Sequence, residues 1–459
     1  MVDPHLYLFL DDAEIDARHR VVRRISPMRR ESLEPVVSGD RPWEGPRLAT
    51  GVALRDPDSG QLRMWYPANP NPNMSGNICY AESDDGLEWT KPDLDIQTWE
   101  NHSHTNLLLQ PWDGHLGNLN VIHNPVPTGT DDVWIATAQT GTWLYGEDPV
   151  RAHTTAGSYR LASPDGLRWT VDRPAVLPRQ GDRTATVWDP HRQCFMLTTR
   201  HLDWVDEAVA GIAGLRRDVD AWLSDDLLTW RHAGRLLSPD DLDPAGTEFY
   251  SLCPVAYGRG YVGLLEVYDR PSGRLYMQLA WSSNGTHWVR VGDRSPLLSP
   301  GGESAWDSHW VSLFLSSPVE RDGRLLTWYS GGSTFHNSGI GHRRAIGATS
   351  LRMDGFAALE ADLHGGAVTT VRLPADSPHR VEVNADTRTG ELTVEVLDLR
   401  GQPIEGFGSD DCRLDEMGVR RAVRWRGGDV VPTQPDGIAR LRFNLRRAAL
   451  YAYRWVPAA

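Results

Sequence analysis

SPDGLRW, residues 163–169, returns three more times in altered form: SDDGLEW at 83–89, SDDLLTW at 224–230 and SSNGTHW at 282–288. Each reads Ser, any residue, Asp or Asn, usually Gly, two residues, then Trp. Asp or Asn followed by Gly supplies the positive φ angles of a hairpin turn, Ser and Asp side chains bond turn amides, and Trp folds back over the turn. The unit is a clasp between two strands, which makes its acids, Asp165 among them, structural. The four tryptophans lie about 80, 61 and 58 residues apart, the repeat length of a four-stranded sheet with variable loops.

The residues before each clasp alternate as half-buried strands do: LRMWYPA and NICYAES, GSYRLAS, DVDAWLS, LYMQLAWS. A fifth unit lacks the clasp but has its strands, WVSLFLSSPVE, RLLTWYSGGS and AIGATSLRMDGF. Reading outward from the clasps divides the chain into 44–100, 101–178, 179–240, 241–300 and 301–365. The expected fold is all-β: a five-bladed β-propeller over 44–365, with 1–43 packing on it or supplying an edge strand that closes the ring. From 366 to 459, short alternating strands with Gly and Asp turns predict a C-terminal β-sandwich without clasps.

Composition agrees. Nineteen Trp against eight Phe, with 43 Gly and 31 Pro, suit many strands joined by many turns. A formal charge of −14 would meet a nucleic-acid backbone with repulsion, which argues against DNA and RNA as partners. No segment approaches the roughly 20 apolar residues of a membrane span. The start, MVDPHLYLFLDD, lacks a basic region and a cleavage site, so a cytoplasmic location without membrane attachment is expected. Cys79, Cys194, Cys253 and Cys412 show no CxxC spacing and read as buried thiols. The 16 His show no ligand spacing beyond His102 and His104, so no metal and no cofactor are expected. The sequence is compatible with a homo-oligomer.

In a propeller the innermost strand of each blade lines the channel, so residues opening each blade converge. Five stretches fill these places: PWEGPRLATG, GHLGNLNVIHN, RQGDRTATVWD, GTEFYSLCPV and SAWDSHWVSLF. They bring together Glu44, Asn118, Asn120, Asp182, Arg183, Glu248, Tyr250, Asp307 and His309. Trp43, Trp306 and Trp310 flank the acids and suit the C–H face of a sugar or packing between blades. Arg200 and His201 end a strand near the pocket mouth. The loop GGSTFHNSGIGHRR, with His336, His342, Arg343 and Arg344, could close over a ligand or hold an anionic group.

The repeats, the MDGF ending of the fifth unit and the C-terminal ELTVEVLDLRGQPIEGF and LRFNLRRAALYAYRW together resemble the five-bladed propeller glycoside hydrolases. More narrowly they resemble a bacterial group related to the β-fructosidases (invertase and levanase) and the arabinanases. The clasp is also similar to the Asp-box of sialidases, although here Gly follows the acid directly. The fructosidase resemblance implies a small oligosaccharide or glycoside substrate and an exo-acting furanosidase; some arabinanases add a structural Ca²⁺ in the channel.

Glycosidic hydrolysis needs one carboxylic acid to protonate the leaving oxygen and a carboxylate as base or nucleophile. TEFYSLCPV resembles the fructosidase segment carrying the acid, which implies Glu248 for that role. GDRTATVWD resembles the segment whose aspartate stabilises the transition state, which implies Asp182. Where those families place a blade-one nucleophile, RLATGVALRD has Leu or Ala, so Glu44 and Asp307 are the remaining candidates for base. Each acid has a structural alternative: Glu248 bound to a turn or an Arg, Asp182 to Arg183, Glu44 and Asp307 orienting Arg47 and His309. The missing nucleophile keeps two other classes open, a non-hydrolytic carbohydrate-binding propeller and a phosphorylase or lyase. A phosphorylase would use Arg183, Arg200 and His309 for an anion.

Overall fold

The computed structural model describes residues 1–70, 76–112, 115–141, 157–178, 183–205, 214–336, 343–414 and 418–458. Asp182 and His342 lie outside the described residues. The chain is all-β, without an α-helix among the described residues; a single 3-10 turn spans Ser409–Asp411. No described helix is long and apolar enough to cross a membrane.

Each clasp closes by one bonding scheme. The Ser163 hydroxyl accepts from the Gly166 amide at 2.8 Å, and Asp165 Oδ1 accepts from the amides of Leu167 and Arg168, each at 2.8 Å. Ser83 with Asp85, Ser224 with Asp226 and Ser282 with Asn284 repeat it. The turn residue is left-handed throughout, φ +75° at Gly166 and +62° even at Leu227, where the side chain makes that conformation costly. Burial raises the Asp85, Asp165 and Asp226 carboxyls, but the two amides each one accepts outweigh it and hold all three below the ordinary value. Indole N–H groups of Trp89, Trp230 and Trp288 return to the carbonyls three residues back, at 3.0, 3.2 and 3.2 Å.

Clasps also bond sideways. Trp65 Nε1 donates to the Gly166 carbonyl at 2.7 Å and Arg63 to that of Asp165 at 2.7 Å, so the first unit grips the turn of the second. Trp328 and Arg321 of the fifth unit grip Gly86 and Asp85 of the first in the same way, at 2.8 Å each. Arg192 of the third unit donates to the Asn284 carbonyl of the fourth.

Three sheets run up and down in sequence order. The first comprises His115–His123, Trp134–Gly141, Gly157–Ser163 and Thr170–Val171, with Leu177–Pro178 added. Next come Thr184–Asp189, Cys194–Val205, Gly214–Ser224 and Arg231–Leu237, then Thr247–Tyr257, Gly260–Asp269, Arg274–Ser282 and Val289–Arg290. A ten-stranded sheet joins the two ends of this series. In it Arg47–Leu48 lies parallel to Arg344–Arg352 on one side and antiparallel to Leu62–Asn69 on the other.

The N-terminal segment divides its strands. Arg29–Arg30 pairs with Arg344–Arg352, on the edge of the fifth unit. Leu6–Leu8, Ile15–His19 and Val22–Ile25 instead pair with Ala448–Pro457, Gly366–Thr370 and Ala357–Ala361. These belong to two sheets sharing one core that includes Phe9, Leu359, Val394, Phe443, Tyr453 and Trp455. The apolar run LYLFL explains the recruitment: Phe9 is fully buried and the Tyr7 ring stacks on Tyr453 at 4.6 Å. Ala357–Ala361, on the propeller side of the expected boundary at 365, pairs with Ala448–Pro457 in the same sheet.

Candidate functional site

Each unit meets the next through polar contacts. Gly76 N–H donates to the Leu116 carbonyl at 3.1 Å, linking first unit to second. Thr137 and Thr186 hydroxyls meet at 2.6 Å, linking second to third. Arg183 reaches Glu266 from third to fourth at 2.6 Å, and Leu275 N–H donates to the His309 carbonyl from fourth to fifth at 3.1 Å. The Thr50 and Ser312 hydroxyls close the series, first to fifth, at 2.7 Å. Arg183 also donates to Ser312 Oγ at 2.7 Å, joining the third unit to the fifth.

Glu266 stands at this junction. It lies in Gly260–Asp269, a strand buried at every position but its last, and is itself 1% exposed. Its Oε2 takes both Arg183 contacts, at 3.1 and 2.6 Å, while buried Oε1 has no hydrogen-bond partner among the described residues. Other buried polar atoms without partners belong to the neighbouring strands: Asn120 Oδ1, both amide atoms of Gln139, Thr199 Oγ1 and Ser251 Oγ. Buried polar groups are ordinarily satisfied, so unsatisfied ones on three sheets make this region the candidate site.

Glu248 lies on the next strand. Pairing runs Glu248 to Tyr268 and Ser251 to Glu266, with Tyr250 as an extra residue in a β-bulge. Glu248 and Glu266 are therefore diagonal neighbours on one face, within reach of a shared ligand. Bulges of this kind re-aim side chains beside active sites. Here the bulge turns Tyr250 onto Tyr268, rings 5.2 Å apart, with Arg200 and Arg217 stacked over it at 5.0 and 5.1 Å. Both Glu248 oxygens are taken, one by Arg217 and one by Arg270. To hand a proton to a leaving group, Glu248 must first be released by one of these arginines.

Aromatic side chains make the adjoining wall. The Tyr250 hydroxyl bonds His336 Nε2, and the His336 ring stacks on Trp310 at 5.3 Å. Arg344 lies 3.4 Å over the Trp310 ring, and buried Trp310 Nε1 has no partner. His309 sits at the edge of the wall with its ring against Phe335 at 4.3 Å and Nδ1 2.9 Å from Ser308 Oγ. Asn118 adopts φ +47° at a register shift, and its carbonyl accepts from Asn120 Nδ2 at 2.9 Å.

Four further candidates make contacts of their own. Glu44 is fully buried: Oε1 accepts from the Tyr66 hydroxyl at 2.5 Å, and Oε2 from Lys91 at 2.7 Å and the Asp40 and Arg41 amides. Burial first, then Cys79 and Glu44, push the Tyr66 phenol well above its usual range. Trp43 is 4% exposed and spends its N–H on Asn106 Oδ1 at 2.7 Å. Asp307, 1% exposed, is held by Arg30 at 2.7 Å and the Tyr329 hydroxyl at 2.9 Å, while Trp306 stacks on Tyr329 at 5.6 Å. Both acids are thus bonded to basic and hydroxyl groups, and the Asp307 pair with Arg30 joins the N-terminal segment to the fifth unit.

The four cysteines are free and buried. Among the described residues no three His, Cys, Asp or Glu side chains are grouped to hold a metal ion. Glu266 is not among the residues of the opening stretches, since it lies on the second strand of its sheet. The signal was a lone carboxylate inside the apolar run YVGLLEVY.

No protein-family model matches the chain, and no curated protein does. Solved structures similar to it include a glycosyl hydrolase from Bacteroides ovatus at 14% identity, over 71% of this chain and 94% of that one, with TM-score 0.49. A thermostable family-43 glycoside hydrolase matches at 13% identity over 68% and 93%, TM-score 0.48. An N-acetylgalactosamine deacetylase from F. plautii, in complex with blood group B trisaccharide, matches at 16% over 74% and 96%, TM-score 0.46. At this level of similarity they bear on neither the reaction nor the substrate.

Proposed function

We propose that the chain is a five-bladed β-propeller with a C-terminal β-sandwich, and that it cleaves glycosidic bonds at the junction of its opening strands. The cyclic order of links from first unit to fifth and back supports the blade count. The Arg183 bond to Ser312 supports a common axis, since it joins non-adjacent units. In this reading Glu266 is the working carboxylate, Arg183 orients it, and Glu248 is its partner across the strand pair. Asn120, Gln139, Thr199 and Ser251 bind sugar hydroxyls against the wall of Trp310 and His336. Proton transfer by carboxylates needs no cofactor.

One observation carries the reading: Glu266, paired to Arg183 through one oxygen, has the other buried without a partner among the described residues, on the strand face it shares with Glu248; Asp218, the other buried acid in that state, is held by Arg216 and Arg235. Aryl furanosides are the first substrates to try, with pyranosides as the comparison. Glu266→Gln is expected to lose at least about 100-fold in kcat/KM, the lower range for general acid–base catalysis. Turnover within threefold of the parent on every substrate cleaved would overturn the assignment.

The double arginine clamp on Glu248 favours a second reading, a propeller that binds carbohydrate without cleaving it. Sugar binding by calorimetry with no turnover across the panel would select that reading.

A further inference from the structure

Around the proposed site the charge runs opposite to that of the whole chain, which carries −14. Arg344 sits beside Arg47 as its β-bridge partner, and Arg183 belongs to the same group, with Glu266 the nearby carboxylate. Burial first, then the charges of Arg47 and Arg183, hold the Arg344 guanidinium well below its usual range. Among the described residues no carboxylate pairs with Arg344; its face is spent on the Trp310 ring. A side chain that stays charged in such company is stabilised by an anion placed among the guanidiniums. A cavity of ≈ 370 Å³, lined by Arg344, Arg343, Trp306, Ser333 and Pro46, gives Arg344 an approach from solvent.

We infer that Arg47, Arg183 and Arg344 bind an oxyanion, so that the site takes a negatively charged group with its sugar. The inference deepens the proposed function and rests on it for the sugar. Two sources share this chemistry: a carboxylate carried by the sugar, as in a uronic acid, or free inorganic phosphate held beside a neutral sugar. The planar fork of each guanidinium suits either one.

The test uses the full chain and four probes in calorimetry and thermal melts: galacturonate, galactose, inorganic phosphate, and chloride at matched ionic strength. Galacturonate binding at least tenfold tighter than galactose supports the sugar-borne carboxylate. Phosphate raising the melting temperature beyond chloride, without that preference, supports free phosphate. In either case Arg344→Gln loses at least tenfold in affinity for the anion. Its melting temperature holds or rises, because one of three like charges is gone. Arg47→Gln serves as the second variant should the first fold poorly. Equal binding of galacturonate and galactose with no phosphate effect, or no binding of any probe, overturns the inference; the first result leaves the sugar reading intact. Phosphate binding with no sugar bound leaves the anion site standing and removes the sugar reading.

Discussion

Clasps and axial cluster are made from the same materials, carboxylates, arginines and tryptophans, and they use them in opposite ways. At a clasp everything is matched: Asp165 takes two amides, its carbonyl takes Arg63, and the Gly166 carbonyl takes Trp65. At the axis the matching stops halfway. Glu266 has one oxygen anchored and one not, Gln139 has neither amide atom bonded, and three arginines share one neighbourhood. Satisfied networks hold a structure, whereas unsatisfied ones cost stability and are retained where something must bind. The difference separates acids that hold the frame from acids available to act.

The largest expected effect lies on the frame side. Glu44→Ala leaves the Tyr66 hydroxyl and two amides without their acceptor and Lys91 with Asp40 and the Ser38 carbonyl alone, and should cost about 3–5 kcal/mol, read as a fall in the denaturation midpoint. A midpoint unchanged alongside abolished turnover would return Glu44 to the catalytic candidates. Next comes Glu266→Gln, whose ~100-fold loss corresponds to about 2.7 kcal/mol of transition-state stabilisation, with stability nearly unaltered. A large stability loss there would place Glu266 with the clasps.

Asp165→Ala should cost about 1–3 kcal/mol of stability from its unpaired amides and leave kcat/KM within twofold. The pH dependence sharpens this. Asp85, Asp165 and Asp226 titrate lower in the folded chain than in the unfolded one. Their contribution is therefore complete above the unfolded value, about pH 4, and is lost as pH falls through the folded values. Melting temperature should hold down to about pH 4 and then drop, with a shallower drop in Asp165→Ala. Equal slopes would mean that the clasps do not govern acid stability. Smallest is Tyr250→Phe, which removes the bond to His336 and should raise KM severalfold with kcat nearly constant.

The clasps were legible because all their interactions are local: Ser, Asp, Gly and Trp within seven residues announce their own geometry. From them the order of the strands within each sheet could be derived, although Ala357–Ala361, expected to end the fifth unit, pairs with Ala448–Pro457 instead. Glu266 could not, since alternation assigns no face to a strand buried on both sides, as Gly260–Asp269 is. The pairings of Glu44 and Asp307 were hidden for another reason. Their partners Lys91 and Arg30 lie 47 and 277 residues away, and only packing brings them together. Leu6–Leu8 reads as a strand, but nothing local says that its partner is Ala448–Pro457.

The sideways grip of Trp328 and Arg321 on the first clasp has a consequence for synthesis. Turn 83–89 is made early, yet the side chains that lock it arrive some 240 residues later. Until residue 328 has left the ribosome, the first sheet carries an exposed flank of apolar surface. Contacts this distant in the chain slow folding and lengthen the time for which partly formed states can aggregate. A chain permuted to begin at residue 301, with the fifth unit ahead of the first, should emerge with that flank already covered.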